Sequence, residues 1–556
     1  MQAKFWLLEN IELARKFNLL GKLLELHGEN PFKTRSYTNA YLTIKKWPDK
    51  IIDLPTEELA SIKGIGKAIQ AKIRELADTG EMKTLNRYLS ETPEGIIEMI
   101  GIKGFGPKKI AVIWKELEIE TVGELLYAIN ENRLKDVKGF SEKTQANLKT
   151  QLEYHLDSAD KLLYPIAQRS AAQLLSQIEE VLPEDQHTLI GQIARKCSTI
   201  ELIEILTTSS EPAIEALCQA HPDISYEENR YRLHRVLLQF TYVSKKDFIL
   251  EQVRLSSDPE FWKKLKIKKQ AYTSEAAVFE DNKLPHYIPE YREKENLEHL
   301  SSYPGDQNII TQADLKGCIH NHSTYSDGLQ TVSQMLEAAL DRSYEYFVIT
   351  DHSKSAIYAN GLNIDRLYMQ LDEIRKLDQE ESEIKLFSGT ESDILANGNL
   401  DYPDEVLADL DLIVASVHSS LKMDKAKATK RLITAVENPF TSILGHPTGR
   451  LLLSRPGYPI DTAKVIDACA DNNVAIELNA NPNRLDMDWR WINYAITKGV
   501  LISINPDAHS IKGLDDIQYG VAAARKAGLP IAYCLNAMDL DEFEEWLEEQ
   551  HAKRPT

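Results

Sequence analysis

From residue 309 onward the chain alternates strand-like apolar runs with helical segments, and most runs end in a cluster rich in histidine and carboxylates. The runs read YEYFVITDH, KLFSGTESD, LDLIVASVH, TSILGHP, VAIELNA and VLISINPDAH. A parallel βα barrel is the fold this rhythm favours, because crossover helices then cover the strands. Barrel active sites are built at C-terminal strand ends, where the clusters HNHSTYSDG, TDHS, GTESD, VHSS, GHP and PDAHS fall. Their metal-capable side chains are His320, His322, Asp327, His352, Glu391, His418, His446, Asp507 and His509.

Six of the fourteen histidines lie in these clusters. Divalent cations lower the pKa of a bound water and neutralise phosphoryl charge, so such a series points to a hydrolytic enzyme acting on phosphoesters. Mixed imidazole and carboxylate donors fit manganese, zinc or iron better than magnesium, which favours oxygen and keeps its waters.

With 556 residues the chain is too long for one core and calls for three or four domains. No apolar run approaches the roughly 18 residues a membrane span needs. The opening MQAKFWLLENIELARKF lacks a signal-peptide core. Cys197, Cys218, Cys318, Cys469 and Cys534 are scattered without a CxxC pair and read as reduced thiols of a cytoplasmic protein. The net charge is −20, but residues 1–150 hold 24 Lys and Arg against 21 Asp and Glu, and the remainder 41 against 64. The N-terminal part is therefore the less repulsive surface for a polyanion.

Residues 1–155 read as short helices with apolar spacing at Leu13, Phe17, Leu20 and Leu24. One pattern repeats there, as SIKGIGKAIQAKI (61–73), GIKGFGPKKIAVI (101–113) and, more weakly, DVKGFSEKTQANL (136–148). The turns at Gly64, Gly66, Gly104 and Gly106 bare backbone N–H groups at a helix N-terminus, an anion site suited to phosphate. Lys63, Lys67, Lys103, Lys108 and Lys109 add cations that read no sequence. In the third copy Ser141 stands at the second glycine position. These segments resemble helix-hairpin-helix motifs, which grip the DNA backbone.

The order of parts resembles the bacterial family-X DNA polymerases with a C-terminal polymerase-and-histidinol-phosphatase (PHP) domain. NPFKTRSYTNA and the first hairpin are similar to that family's N-terminal domain, and IPEYREK to its linker. DLKGCIHNHSTYSDG, EYFVITDHS, ANGLNIDRL, LDYPDEVLADLDLIVASVHSS, ILGHPTGRLLLSRPGY and DAHSIKGLDDIQYG resemble its PHP domain. The resemblance implies a multidomain α and α/β protein. Its parts are a helical DNA-binding domain over 1–88, a second helix-hairpin-helix region over 89–155, and a degenerate α+β polymerase-like domain over 156–285. A linker over 286–308, a distorted (βα)7 PHP barrel over 309–545 and a tail over 546–556 follow.

It also implies three ions, manganese favoured. His320, His322, Glu391 and Asp507 would bind the first, Glu391, His418 and His446 the second, and Asp327, His352 and His509 the third. Arg450 and Ser353 are candidate phosphate contacts, and Lys72 sits where the family's Schiff-base lysine can occur. The departure lies in the middle. The family's nucleotidyl-transfer motif needs carboxylates for two ions, yet Gln192 follows Gly191 and the two Asp positions fall on Leu202 and Glu204. The third falls on Leu233, and shifting the frame offers Glu201 and Glu204. The resulting expectation is a metal-dependent 3′-5′ exonuclease on gapped, nicked or 3′-damaged DNA, with polymerase activity lost. The alternatives are an active gap-filling polymerase and a small-molecule phosphatase.

Overall fold

The computed structural model describes residues 9–555 apart from 103, 118, 123, 124, 127, 128, 130–133, 135, 136, 138, 159, 160, 228, 234, 235, 382, 454 and 455. Lys103 and part of the third hairpin therefore lie outside the described residues. The chain forms two compact units, Met1–Ala159 and Asp160–Thr556.

The first unit is helical. Leu13, Phe17, Leu20 and Leu24 repeat on one face of Asn10–Leu26 and are wholly buried. Against them pack Pro31–Lys46, Lys67–Thr79, Lys83–Ser90 and Pro107–Lys115, and the cluster extends to Leu148 and Leu152. The two hairpin modules thus share one core. Ammonium-to-carbonyl bonds from Lys22 to Ile100 (3.0 Å) and from Lys115 to Leu26 (3.2 Å) tie them further.

The second unit begins with a five-stranded sheet in the order His187–Ile190, Leu202–Thr207, Val236–Tyr242, Arg230–Leu233, Ile224–Glu227. All its pairings are antiparallel except that of Leu202–Thr207 with Val236–Tyr242. Helices Tyr164–Val181 and Glu211–Ala220 cover one face through Ala171, Leu174, Ile178 and Ile214.

The barrel has seven parallel strands in consecutive order: β1 (Gly317–Asn321), β2 (Tyr346–Ile349), β3 (Lys385–Asp393), β4 (Leu412–Ser416), β5 (Ile443–Leu444), β6 (Ala475–Asn479) and β7 (Ile502–Asn505). It nearly closes, because Asn321 bridges Ala508 just past β7 and the His322 N–H donates to the Ala508 carbonyl at 2.9 Å. Strand alternation sends Ile413 and Ala415 out to the helices and Leu412 and Val414 inward.

Two segments differ from the sequence reading. The expected linker over 286–308 is packed: Tyr291, Arg292 and Asn296 are buried, and Asn296 donates to the carbonyls of Tyr291 and Lys526. The expected tail over 546–556 is largely the end of helix Leu540–Ala552, whose Phe543, Trp546 and Leu547 join the inward barrel residues. Phe543 stacks on Tyr346 with centroids 4.2 Å apart. Both segments are polar in composition, and only the tertiary fold supplies the apolar surface that their few aromatic residues cover.

Candidate metal centre and nucleic-acid interface

All seven strands contribute a polar side chain to the mouth of the barrel. His320 lies on β1, Glu391 on β3 and Glu477 on β6; His352, His418, His446 and Asp507 follow β2, β4, β5 and β7. Alternation along β3 directs Phe387, then Glu391 and Asp393, inward. On β1 it would send His320 outward. A register irregularity between Cys318 and Asn321, with φ of 65° at His320, turns the ring to the mouth. Asp507 is likewise left-handed at φ 52°. Non-glycine residues hold that conformation at a cost of roughly 1–2 kcal/mol each, and such strain gathers at functional sites.

Glu391 is the hub. Its Oε1 lies 2.9 Å from His446 Nε2, 3.1 Å from His418 Nε2 and 3.2 Å from His320 Nε2, and its Oε2 lies 2.8 Å from His352 Nδ1. Asp507 Oδ1 stands 3.2 Å from His322 Nε2, and Asp327 Oδ1 stands 3.3 Å from His509 Nε2 and 3.7 Å from His352 Nε2. Three groups have ligand atoms mutually within 4.8 Å: His322, Asp327, His352 and His509; His320, His322 and Glu391; and His352, Glu391 and His418. All nine side chains singled out in the sequence therefore converge.

The residues fit cations. Nδ1 of His322 and Nδ1 of His446 are buried without a hydrogen bond among the described residues, a costly state unless a ligand completes it. Burial drives His322 down to about 3, aided by His509 and His352, so it stands ready as a neutral donor. Burial opposes charge on His418 and His509 too, but Glu391 and Asp393 lift the first to about 10, and Asp327 and Asp507 lift the second to about 9. Burial would raise Asp327, yet His509 holds it at about 2. Without a cation the cluster pairs carboxylates with protonated imidazoles, and a bound cation would displace those protons.

A supporting layer went unread in the sequence. Glu477 Oε2 meets His320 Nδ1 at 2.5 Å, and its Oε1 accepts from the His446 N–H at 3.1 Å. Asp393 Oδ1 meets His418 Nδ1 at 2.5 Å. Such carboxylates fix the tautomer and aim of a ligand ring. The available signal was a lone Glu amid apolar neighbours in VAIELNA, and an Asp two positions after Glu391 in GTESD.

Arg450 is engaged within the fold. Its guanidinium donates to the Arg484 carbonyl at 2.8 Å, to Asp488 at 2.7 Å and to the Leu485 carbonyl. That set ties down the 484–488 loop. Arg484 is the cation beside the ligands, with Nε 3.6 Å from Asp507 Oδ2. Ser353 is buried, and its Oγ accepts from the Asp393 N–H at 2.9 Å, so it braces β3.

In the polymerase-like sheet, the run YRLHRVLLQF splits into two antiparallel strands, so Leu233 does not stand beside Leu202 and Glu204. The strand that does presents Leu237 and Gln239 opposite them. Glu204 packs so closely on Gly191 that a Cβ there would sit 1.7 Å from its Oε2, and burial raises its pKa. Gln192 Oε1 accepts from the Glu201 N–H at 2.8 Å, and exposed Glu201 pairs with Lys161 at 3.0 Å. No two carboxylates of 201–207 and 236–242 face one another.

The hairpins form as the pattern predicts. Gly64 and Gly104 have φ of 97° and 93°, open to glycine alone without strain. Gly66 and Gly106 cap Lys67–Thr79 and Pro107–Lys115, with Lys63, Lys67 and Lys108 exposed and Lys109 half-buried. Lys72 forms an ion pair with Glu75 at 2.5 Å, which must open before its amine can act as a nucleophile.

Residues 8–82 match the helix-hairpin-helix domain, 96–153 the SAM-like helix-hairpin-helix tandem, and 319–481 the PHP domain. Fold and site thus define a helix-hairpin-helix protein with a C-terminal PHP phosphoesterase barrel. The DNA polymerase/3′-5′ exonuclease PolX of Bacillus subtilis (strain 168) is 31% identical over 97% of this chain and 99% of its own. The chain belongs to this bacterial PolX family, the family-X polymerases with a PHP domain. Probable phosphatases of Thermoanaerobacter sp. (strain X514) and Vibrio atlanticus (strain LGP32) are 27% and 28% identical over 42% and 36% of the chain, covering 95% and 82% of theirs.

Proposed function

We propose that this protein trims DNA ends, acting as a metal-dependent 3′-5′ exonuclease and phosphoesterase through its barrel, and that its polymerase activity is lost. The observation that carries this reading is the contrast between two sites in one chain. Eight candidate ligand side chains gather with Glu391 at the barrel mouth, while the polymerase-like sheet sets Leu202, Leu237 and Gln239 around a single half-buried Glu204.

Bound divalent ions, manganese favoured and three in number, would supply an activated water and screen the charge on phosphorus. The chain's own groups do the rest. Glu391 spans two ligand groups, Glu477 and Asp393 keep His320 and His418 aimed, and the guanidinium of Arg484 is placed for a non-bridging phosphoryl oxygen. The hairpins of the first unit supply backbone N–H groups and lysines for the phosphates of gapped or nicked duplex. The ion pair of Lys72 argues against a lyase role.

The test is one gapped duplex with a 3′-labelled primer, manganese, and dNTPs present or absent. The primer shortens with or without dNTPs, and His322→Ala abolishes the shortening. Full activity in that variant removes the reading. Primer extension lost on Glu204→Ala would establish a working polymerase, and cleavage of phosphomonoesters alone would favour the small-molecule phosphatase.

A further inference from the structure

Two loops border the Asp327 side of the metal centre, and each exposes an aliphatic side chain. The 353–361 loop follows His352 and carries Ile357, 85% exposed; the 323–330 loop carries Asp327 and then Leu329, 38% exposed. A single exposed aliphatic residue is ordinary. Here the loops are held firmly. Asn360 donates to the carbonyls of Tyr325 (3.1 Å) and Ser326 (3.2 Å), and Arg366 donates to those of Asn360 (2.9 Å) and Tyr325. Ser355 binds Asp401 through its N–H at 2.7 Å and Asp393 through its hydroxyl at 2.6 Å. The Leu329 N–H donates to the His509 carbonyl at 2.9 Å. Ile357 thus stands on a braced turn that could have been polar, five residues beyond one ligand and stitched to the loop of another.

A phosphodiester at this centre brings its own base to the rim. A paired 3′ terminus cannot lay its last phosphate into a recessed mouth without unstacking that base, which costs a few kcal/mol. Proteins that unstack bases insert apolar side chains, isoleucine and leucine among them, against the freed ring. We propose that Ile357 and Leu329 form a fixed apolar ridge that packs against the unpaired 3′-terminal base while its phosphate occupies the centre. The occupant is a frayed DNA end, and the guanidinium of Arg484 beside Asp507 suits its backbone. This rests on the exonuclease reading above.

Full-length protein with manganese is given two labelled primers, one fully paired at its 3′ end and one ending in three mismatches, and also bis(p-nitrophenyl) phosphate. Ile357→Ser, at an exposed site, slows removal from the paired end by about tenfold relative to the mismatched end, and Ile357→Leu restores the rate. Equal slowing on both ends, or none, overturns the ridge. A wild-type protein that cleaves the small diester but shortens neither primer overturns the exonuclease reading and the ridge with it. A wild-type protein that trims both ends alike while Ile357→Ser changes nothing overturns the ridge alone.

Discussion

At the scale of single residues, the centre depends on carboxylates that touch no candidate ion. Glu477→Gln keeps the volume but removes the charge that orients His320, so metal affinity and nuclease rate should fall by about 10- to 100-fold. Calorimetric manganese titration alongside the primer assay checks this. A second, half-buried cluster links pH to stability. His286 sits between Glu275 at 3.4 Å and Asp306, and Arg292 also meets Glu275. The hydrogen bond to Glu275 raises His286 against the pull of burial; burial would raise Glu275, but His286 and Arg292 bring it to about 2. The raised His contributes stability that is full below its unfolded value of about 6.5 and lost as pH rises through the folded one. The depressed Glu contributes stability present above about 4.3 and lost as pH falls toward the folded value. Thermal melts should therefore peak between those limits, with His286→Gln flattening the alkaline side.

Among elements, the C-terminal helix and the hairpins make opposite demands. Leu540–Ala552 drives Phe543 against Tyr346 and Phe387 inside the barrel, so Phe543→Ala should cost about 3–5 kcal/mol, read by denaturant unfolding. The hairpin helices instead leave their first-turn lysines in water. Lys67→Glu and Lys108→Glu should leave the melting temperature unchanged, weaken DNA binding equally across sequences, and each lower the salt slope by about 1. The helical spacing of Leu13, Phe17, Leu20 and Leu24 and the glycines of the two hairpins made these elements legible beforehand, because period and positive φ are local properties. The closing helix was not legible, since EEWLEEQHAKRPT is mostly polar or charged and its burial depends on the barrel floor above it.

For the whole molecule, the chain pairs a helical unit that displays lysines with an acidic unit whose negative charge is partly gathered at the candidate metal centre. Adding dNTPs to the gapped-duplex assay should not lengthen the primer, because no alignment of 201–207 with its neighbouring strand assembles two facing carboxylates. By itself the sequence determined the βα rhythm, the nine side chains that converge at the mouth and the paired hairpins, because a period, a residue type and a glycine turn are written within a few positions of one another. Tertiary structure alone decided that His320 faces the mouth despite strand parity, and that Glu477 and Asp393 brace the ligands. It also decided that Arg450 holds a loop while Arg484 stands at the site. Those outcomes depend on a bulge, on barrel closure and on partners between 25 and 157 positions apart, and contacts over such separations leave no local pattern to read.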